Sequence, residues 1–197
     1  MPRLLELLIS LVALVLLSPL LLLVAVLVLI TMGRPVFFLQ ERTGIAGRPF
    51  RIVKFRTMRR SDVDEVDTTR DASRLTWLGH LLRRTSLDEL PELFNVLRGD
   101  MSLVGPRPLL PEYLELYDST QSRRHEVRPG ITGWAQVNGR NAIDWETRFR
   151  FDVWYVDNRS TLLDFRIMFS TIGQLMKISQ TSQPGRATQD KFRGSAS

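Results

Sequence analysis

Two adjacent carboxylates are the clearest candidates for chemistry in this sequence. Asp88 and Glu89 follow a basic pair, Arg83 and Arg84. A carboxylate at a helix start can attack a phosphate, because exposed backbone amides and the positive end of the helix dipole hold phosphate oxygens close to it. Ser86 with Glu89 also fits a helix capping box, which is a structural role compatible with the catalytic one.

Basic side chains could bind the phosphate that such a carboxylate attacks. Arg107 lies between two prolines that stiffen its loop, and its guanidinium matches phosphate in a two-point contact. The alternative is a solvated arginine in a turn. Lys54 belongs to a basic cluster with Arg56, Arg59 and Arg60. A solvated face or a contact with lipid headgroups is the default for this cluster, and a phosphate contact by Lys54 is the alternative.

Residues 128–141 are dense in glycine, side-chain amides and arginine, and they include one tryptophan. Such a segment could hold a nucleotide or a sugar through backbone groups, amides and an aromatic face. No Walker A or dinucleotide-binding fingerprint accompanies it. The candidate binding residues are Arg128, Gly130, Trp134, Gln136, Asn138 and Arg140.

The N-terminal segment is a membrane anchor by composition, since residues 7–32 contain no charged side chain. A straight helix of roughly 26 residues would reach about 39 Å, and the hydrocarbon core is about 30 Å thick. Ser18-Pro19 lies near the middle of the segment, and the proline predicts a kink. The Ser18 hydroxyl can satisfy a backbone group that the proline leaves free. A kinked spanning helix is the commoner outcome. The alternative is a helix that bends at the proline and returns to its own side.

The rest of the chain predicts an α+β domain that is mostly helical. Strands at 35–40 and 50–56 should form a hairpin, and a short strand should follow at 101–104. Helices are expected at 75–84, from about residue 86 to 98, at 112–117, at 121–127, at 145–157 with Asp144 as its N-cap, and at 161–178. The last is amphipathic, so it could lie in the membrane interface or simply be a core helix. Residues 129–133 are expected to form a loop.

The formal net charge of +6 and a pI of about 10.4 require anionic partners. Nucleic acid, anionic lipids and phosphorylated substrates are the three classes. Cysteine is absent, which suits a reducing cytosolic face. The two histidines, His80 and His125, show no metal-binding spacing, and structural roles are the default for both.

Taken together, the motifs resemble those of the bacterial sugar transferases, the monotopic phosphoglycosyl transferases. The resemblance covers almost the whole chain and is closest to the small members of the family. It is carried by Ser18-Pro19, Lys54-Phe55-Arg56-Thr57-Met58 and the segments 86–91, 93–102, 104–108 and 128–141.

The resemblance implies a reaction in which a UDP-sugar and undecaprenyl phosphate give undecaprenyl diphosphate sugar and UMP, the first membrane step of bacterial glycan assembly. It implies that Asp88 is the nucleophile, that Glu89 is its acid/base or orienting partner, and that Mg²⁺ is the cofactor, held mainly by Asp88 and the diphosphate. Lys54, Arg83 and Arg107 would bind substrate phosphate.

The resemblance also changes the expectation for the anchor. It implies a re-entrant helix broken at Ser18-Pro19 and a catalytic domain on the cytoplasmic face of the bacterial inner membrane. We therefore expect an anchor at 1–33, a catalytic domain with interfacial amphipathic helices at 34–181 and a polar tail at 182–197. Expected partners are membrane lipids and downstream glycosyltransferases, but no nucleic acid. The oligomeric state is left open, with a dimer as one option.

Two other functional classes compete with this interpretation. A membrane-tethered nucleic-acid binder would account for the basic charge, but it gives Asp88 and Glu89 no role, and no nucleic-acid-binding motif is present. A noncatalytic scaffold for glycan assembly would use the same surfaces without turnover. Release of UMP from a UDP-sugar would exclude the scaffold.

Overall fold

A computed structural model of the chain describes residues 1–59, 74–139 and 143–176, together with Phe192 and Gly194. Arg60, Arg140, the end of the last predicted helix at 177–178 and the predicted boundary between 181 and 182 lie outside the described residues.

The anchor is one α-helix, α1 (Arg3–Met32), which ends at Gly33 with a positive φ of 72°. The helix continues through Pro19, so the break that the resemblance implied at Ser18-Pro19 is wrong. A proline at this position has no N–H for the carbonyl of Val15, four residues earlier. The Ser18 hydroxyl donates a hydrogen bond to this carbonyl at 2.8 Å. The sequence predicted that Ser18 would satisfy a backbone group freed by Pro19, and this prediction is confirmed.

One face of α1 packs against the rest of the protein along nearly its whole length. The buried side chains on this face fall into two runs with a four-residue spacing, as expected for one face of a helix: Glu6, Ser10 and Leu14, then Val24 and Val28. The opposite face is apolar and exposed, with Leu4, Leu8, Leu11, Val12, Val15, Leu16, Leu22, Leu23, Val26, Leu29 and Ile30. Among the described residues, α1 is the one helix whose length and composition would allow it to cross a membrane.

The predicted hairpin is confirmed. Strand β1 (Phe37–Thr43) pairs antiparallel with β2 (Pro49–Phe55), and Phe38 lies opposite Lys54. The strands extend closer to the turn than the sequence predicted, because the turn is a tight one between Gly44 and Arg48. Ala46 and Gly47 adopt positive φ values there.

Two helices joined by a 3₁₀ turn follow: α2 (Trp77–Thr85), the turn Leu87–Glu89, and α3 (Glu92–Arg98). The capping box predicted for Ser86 and Glu89 is wrong. Ser86 has a φ of 56° and ends α2, and its side chain makes no cap hydrogen bond. The left-handed conformation turns the chain at Ser86, so Asp88 lies in the 3₁₀ turn rather than in the first turn of a continuous helix.

The second half of the chain contains a short parallel sheet and further helices. Strand β3 (Ser102–Val104) pairs with β4 (Gly130–Thr132), so the loop predicted at 129–133 is wrong. The strands can pair because Gly130 lacks a side chain: a Cβ there would lie 2.1 Å from the nitrogen of Gly105. The remaining helices are α4 (Ser119–Ser122), α5 (Trp134–Asn138), α6 (Trp145–Asn158) and α7 (Thr161–Met176), with 3₁₀ turns at Pro111–Leu116 and Arg123–Glu126.

Helix α6 begins where the sequence predicted, with the Asp144 carboxylate accepting a hydrogen bond from the Thr147 amide at 2.6 Å. Helix α7 has two different faces. Asp164 and Ile167 are buried, so the core role predicted for this helix is confirmed for that face. The other face exposes Leu162, Phe169 and Ile172, and its location in a membrane interface remains a prediction.

Asn95 is fully buried and fastens α3 to the hairpin. Its side-chain oxygen accepts a hydrogen bond from the Val53 amide at 3.0 Å, and its nitrogen donates to the Arg51 carbonyl at 2.7 Å and to Asp100 at 3.1 Å. The amide therefore fixes the distance between β2 and α3, and the 3₁₀ turn that carries Asp88 comes immediately before α3. The α+β class with a mostly helical domain is confirmed.

We predict that Asn95→Ala lowers the free energy of unfolding by about 3 kcal/mol, because it leaves buried backbone groups of β2 without partners. Urea unfolding of the detergent-solubilised protein measures this change. Asn158→Ala is the matched control, since Asn158 is exposed and bonds only within its own helix. Equal stability of the two variants would contradict the role given to Asn95.

Candidate active site

Asp88 is a buried carboxylate, with 8% of its surface exposed. Within the described part of the chain it makes no hydrogen bond or ion pair. Burial and the neighbouring Glu89 raise its pKa to about 6, against the opposing charges of Lys54, Arg83 and Arg107. Asp88 is therefore mostly ionised at pH 7, with oxygens that are not engaged by the protein, as a nucleophile requires.

Glu89 lies between two cations. Lys54 Nζ donates to Oε1 at 2.6 Å, and the Arg107 guanidinium contacts both carboxylate oxygens, at 2.5 Å and 3.4 Å. Burial alone would raise the pKa of Glu89, but the charges and hydrogen bonds of Arg107 and Lys54 outweigh it and hold that pKa well below its usual range. The structure thus brings together four residues that the sequence predicted: Asp88, Glu89, Lys54 and Arg107.

Three elements converge to form this arrangement. Lys54 is the second-last residue of β2, Glu89 ends the 3₁₀ turn, and Arg107 lies on the loop after β3. The loop is held at two points. The Gly130 amide donates to the Pro106 carbonyl at 3.0 Å, and buried Arg124 donates to the Arg107 carbonyl at 2.8 Å.

Arg124 is itself paired in the core, with its guanidinium 2.7 Å from the carboxylate of Asp152. Both side chains are almost fully buried. A buried pair of this kind is strongly destabilising to break, because the remaining charge has no partner. Neither residue was predicted to have a role, and their contact joins α6 to the loop that carries Arg107.

Arg83 reaches the site from α2. Its Nε donates to the Thr57 hydroxyl at 3.0 Å, and its charge lowers the pKa of Asp88. Arg83 is thus close enough to act on the carboxylate electrostatically. Phosphate binding by Arg83 remains a prediction.

Two further arginines add positive charge near Arg107. Burial, followed by repulsion from Arg107, lowers the pKa of Arg42 to about 10. Burial also lowers the pKa of Arg148 to about 10, with Asp152 opposing and Arg107 adding to the shift. Like charges held this close suit a ligand with several negative charges. No local pattern predicted a role for either arginine, because the two are distant along the chain.

Glu92 is a third acidic side chain of the site, and it was not predicted from the sequence. It is 1% exposed, and its Oε1 lies 3.1 Å from Lys54 Nζ. Burial is the largest cause that raises its pKa to about 7. Nothing in the sequence singles out Glu92, because an acid in the first turn of a helix is common.

The residues predicted to bind nucleotide or sugar in segment 128–141 make other contacts in this structure. Arg128 is exposed and donates to the Gly99 carbonyl at 3.0 Å. Trp134 stacks on Trp154 with ring centroids 4.6 Å apart. Gly130 belongs to β4, as described above.

The two amides of this segment bond to nearby backbone. Gln136 donates to the Ile131 carbonyl at 3.1 Å, and Asn138 to the Trp134 carbonyl at 2.9 Å. Arg140 lies outside the described residues. The structure therefore gives the segment a role in supporting the Arg107 loop through β4, and nucleotide binding by these residues remains a prediction.

Asp88 is the one acidic side chain described at this site that could share a magnesium ion with a substrate. No group of three or more histidine, aspartate or glutamate side chains within the described ranges is arranged to hold a metal by itself. Glu89 and Glu92 face Lys54, whereas the Asp88 carboxylate is not engaged. Magnesium commonly binds through one or two carboxylates plus phosphate oxygens, which matches Asp88 beside a diphosphate.

The arrangement suits phosphoryl transfer. It combines an ionised carboxylate with a lysine and arginines that can neutralise phosphate. The ordered hairpin, 3₁₀ turn and loop hold these groups in fixed relative positions.

Comparisons with known proteins agree with this chemistry. The family model for bacterial sugar transferases matches residues 1–178. The uncharacterized sugar transferase EpsL of Bacillus subtilis (strain 168) is 53% identical over 163 residues, which are 83% of this chain and 81% of that protein.

Two longer relatives carry more specific names. The UDP-glucose:undecaprenyl-phosphate glucose-1-phosphate transferase of Escherichia coli (strain K12) is 44% identical over 169 residues, 81% of this chain and 36% of that protein. The UDP-N-acetylgalactosamine-undecaprenyl-phosphate N-acetylgalactosaminephosphotransferase of Aeromonas hydrophila is 41% identical over 179 residues, 87% of this chain and 42% of that protein. The match of the family model over nearly the entire chain and these identities establish that the protein belongs to the bacterial sugar transferase family.

Proposed function

We propose that this protein transfers a sugar 1-phosphate from a UDP-sugar to undecaprenyl phosphate through a covalent intermediate on Asp88. The observation that carries the proposal is the ionised, unengaged carboxylate of Asp88 beside the Glu89–Lys54–Arg107 cluster. The names of the Escherichia coli and Aeromonas hydrophila relatives support the substrate classes.

In the first step, an Asp88 oxygen attacks the phosphorus that bears the sugar. The bond from this phosphorus to the UMP oxygen breaks, so UMP leaves with the electron pair and the sugar phosphate stays on Asp88 as an acyl phosphate. Lys54 and Arg107 neutralise the charge that repels the nucleophile. In the second step, a phosphate oxygen of undecaprenyl phosphate attacks the same phosphorus, which releases the Asp88 carboxylate and the lipid diphosphate sugar.

Glu89 acts in this scheme as an orienting partner. Its low pKa makes it a poor proton acceptor, because Lys54 and Arg107 stabilise the ionised form. Held between the two cations, Glu89 instead fixes both of them beside Asp88. Of the two roles that the resemblance allowed, the geometry favours orientation over acid/base transfer.

We predict that incubation with a UDP-sugar and no lipid acceptor adds one phosphosugar to the protein, on the peptide that contains Asp88. Intact-protein and peptide mass spectrometry measure the adduct. Asp88→Asn should form none, whereas Asp157→Asn, which changes an exposed carboxylate, should form the adduct like the wild type. An adduct on Asp88→Asn would refute the assignment.

Magnesium, when bound by Asp88 and the diphosphate, would supply positive charge for the phosphates. We predict that EDTA abolishes UMP release and that added Mg²⁺ restores it. A direct binding measurement provides the control: UDP should bind more weakly in EDTA than in Mg²⁺ by calorimetry. Full turnover in the chelator would exclude the requirement.

The anchor is proposed to be re-entrant, with both ends of α1 on the cytoplasmic face of the inner membrane. Support comes from the contacts of its two halves. Leu14 packs with Leu93 and Val96 of α3, while Val24 and Val28 pack with a second cluster on the same domain. A helix that crossed the bilayer would place its first half on the side opposite the domain.

The position of Pro19 also supports a bend. Ser18 and Pro19 lie on the exposed face of α1, and a proline on the outer face allows a helix to curve around the core it packs against. Each arm of about 14 residues is roughly 20 Å long, too short for a hydrocarbon core of about 30 Å. The exposed apolar faces of α1 and α7 would contact lipid.

The topology can be tested because the chain contains no cysteine. We predict that Pro2→Cys resists a membrane-impermeant thiol reagent in intact cells and reacts after lysis. Asp157→Cys, on the domain surface, reports that the reagent stays outside. Replacing Ser18 and Pro19 by Ala and Leu should straighten α1 and expose the cysteine at position 2. Labelling of Pro2→Cys alone in intact cells would establish a spanning helix.

A further inference from the structure

We propose that Glu92 is a positioning residue for phosphate transfer, which keeps the Lys54 ammonium beside Asp88 when a donor phosphate competes with Glu89 for it. This inference rests on the proposed function, because it concerns the same site. It assigns a task to a buried carboxylate that the two-step scheme does not use.

Lys54 has two carboxylate neighbours of different kinds. Its Nζ donates to Glu89 Oε1 at 2.6 Å and lies 3.1 Å from Glu92 Oε1. Glu89 also pairs with Arg107, so Glu89 occupies the cations that a substrate phosphate needs. When a phosphate approaches, it must take part of the interactions that Glu89 now makes with Lys54 and Arg107.

The backbone position of Glu92 is set by α3. Glu92 is 1% exposed and is the first residue of α3, where the helix dipole favours a negative charge. Three residues further on, Asn95 bonds α3 to the backbone of β2, the strand that carries Lys54. The distance between the Glu92 and Lys54 backbones is therefore fixed by the fold.

The two glutamates therefore have different roles toward Lys54. Glu92 anchors the ammonium through its charge, and an ammonium has three N–H groups, so Lys54 can bind Glu92 and a phosphate oxygen at the same time. Without Glu92, Lys54 would be held by Glu89 alone and would lose its anchor as soon as a phosphate displaced that contact.

The test is a double-mutant cycle on the first half-reaction, with a UDP-sugar, no acceptor and a single turnover. Glu92→Gln keeps the shape and loses the charge, and Lys54→Met removes the ammonium. We expect Glu92→Gln to slow adduct formation about 10-fold, Lys54→Met about 100-fold, and the double variant also about 100-fold, because Glu92 acts only through Lys54. Glu126→Gln, in an exposed ion pair, should react at the wild-type rate.

A pH profile provides a readout that a merely structural role would not move. Glu92 faces Lys54 on β2, Arg42 on β1, Arg107 on its loop and Glu89 on the 3₁₀ turn. Its pKa is raised to about 7, so its negative charge is lost as the pH falls through that value. At low donor concentration the wild-type rate should fall as the pH drops through about 7, whereas the rate of Glu92→Gln should not fall in that range.

Several results would overturn the inference. A double variant about 1000-fold slower than the wild type would mean that the two residues act independently, and a wild-type rate in Glu92→Gln would remove Glu92 from the reaction. Melting temperatures check that the variants are folded. If Glu92→Gln is unfolded, Glu92→Asp takes its place in the cycle, since it retracts the charge from Lys54 and should lose its effect in the Lys54→Met background.

The wild type separates this inference from the proposed function. If the wild-type protein forms no adduct with a panel of UDP-sugars, the proposed function fails and the inference fails with it. If the wild type forms the adduct and the cycle shows independent effects, only the inference is overturned.

Discussion

The pairing of Glu89 with Lys54 and Arg107 is the interaction on which the rest of the structure depends. Partly buried charges are costly unless they are paired with good geometry, so the three elements that carry these residues must meet within hydrogen-bonding distance. The neighbouring contacts serve this requirement. Asn95 fixes α3 to β2, and Arg124 holds the backbone of Arg107 while it pairs with Asp152 in the core.

Helix α1 contacts the same group of elements through α3. Leu14 of α1 lies in one apolar cluster with Leu93 and Val96 of α3, and the Arg3 guanidinium donates to the Val96 carbonyl near the end of that helix. The 3₁₀ turn with Asp88 comes directly before α3. A movement of α1 would therefore be transmitted to α3 and to Asp88. The depth of α1 in a membrane would then set the distance of Asp88 from the membrane surface.

Local signals in the sequence predicted part of this structure. The hairpin, α6 with its Asp144 cap, and the hydrogen bond from Ser18 follow from alternation, capping and proline chemistry within a few residues. The errors have non-local causes. The chain turns left-handed at Ser86, so the capping box does not form, and β4 exists because residues about 28 positions apart pair in parallel. The role of Glu92 was not predicted because its partner, Lys54, is on a different element.

Part of the positive charge of the chain lies at the candidate active site. Part of the formal charge of +6 is directed inward: Arg107 and Lys54 face Glu89, and Arg42 stands near Arg107 without a carboxylate of its own among the described contacts. Cations held in place before substrate arrives need little reorganisation when negative charge develops. When a diphosphate enters, its oxygens replace part of the Glu89 carboxylate's contacts with Lys54 and Arg107. The site is thus built around a negative group that maintains the cation positions until a phosphate takes over part of that role.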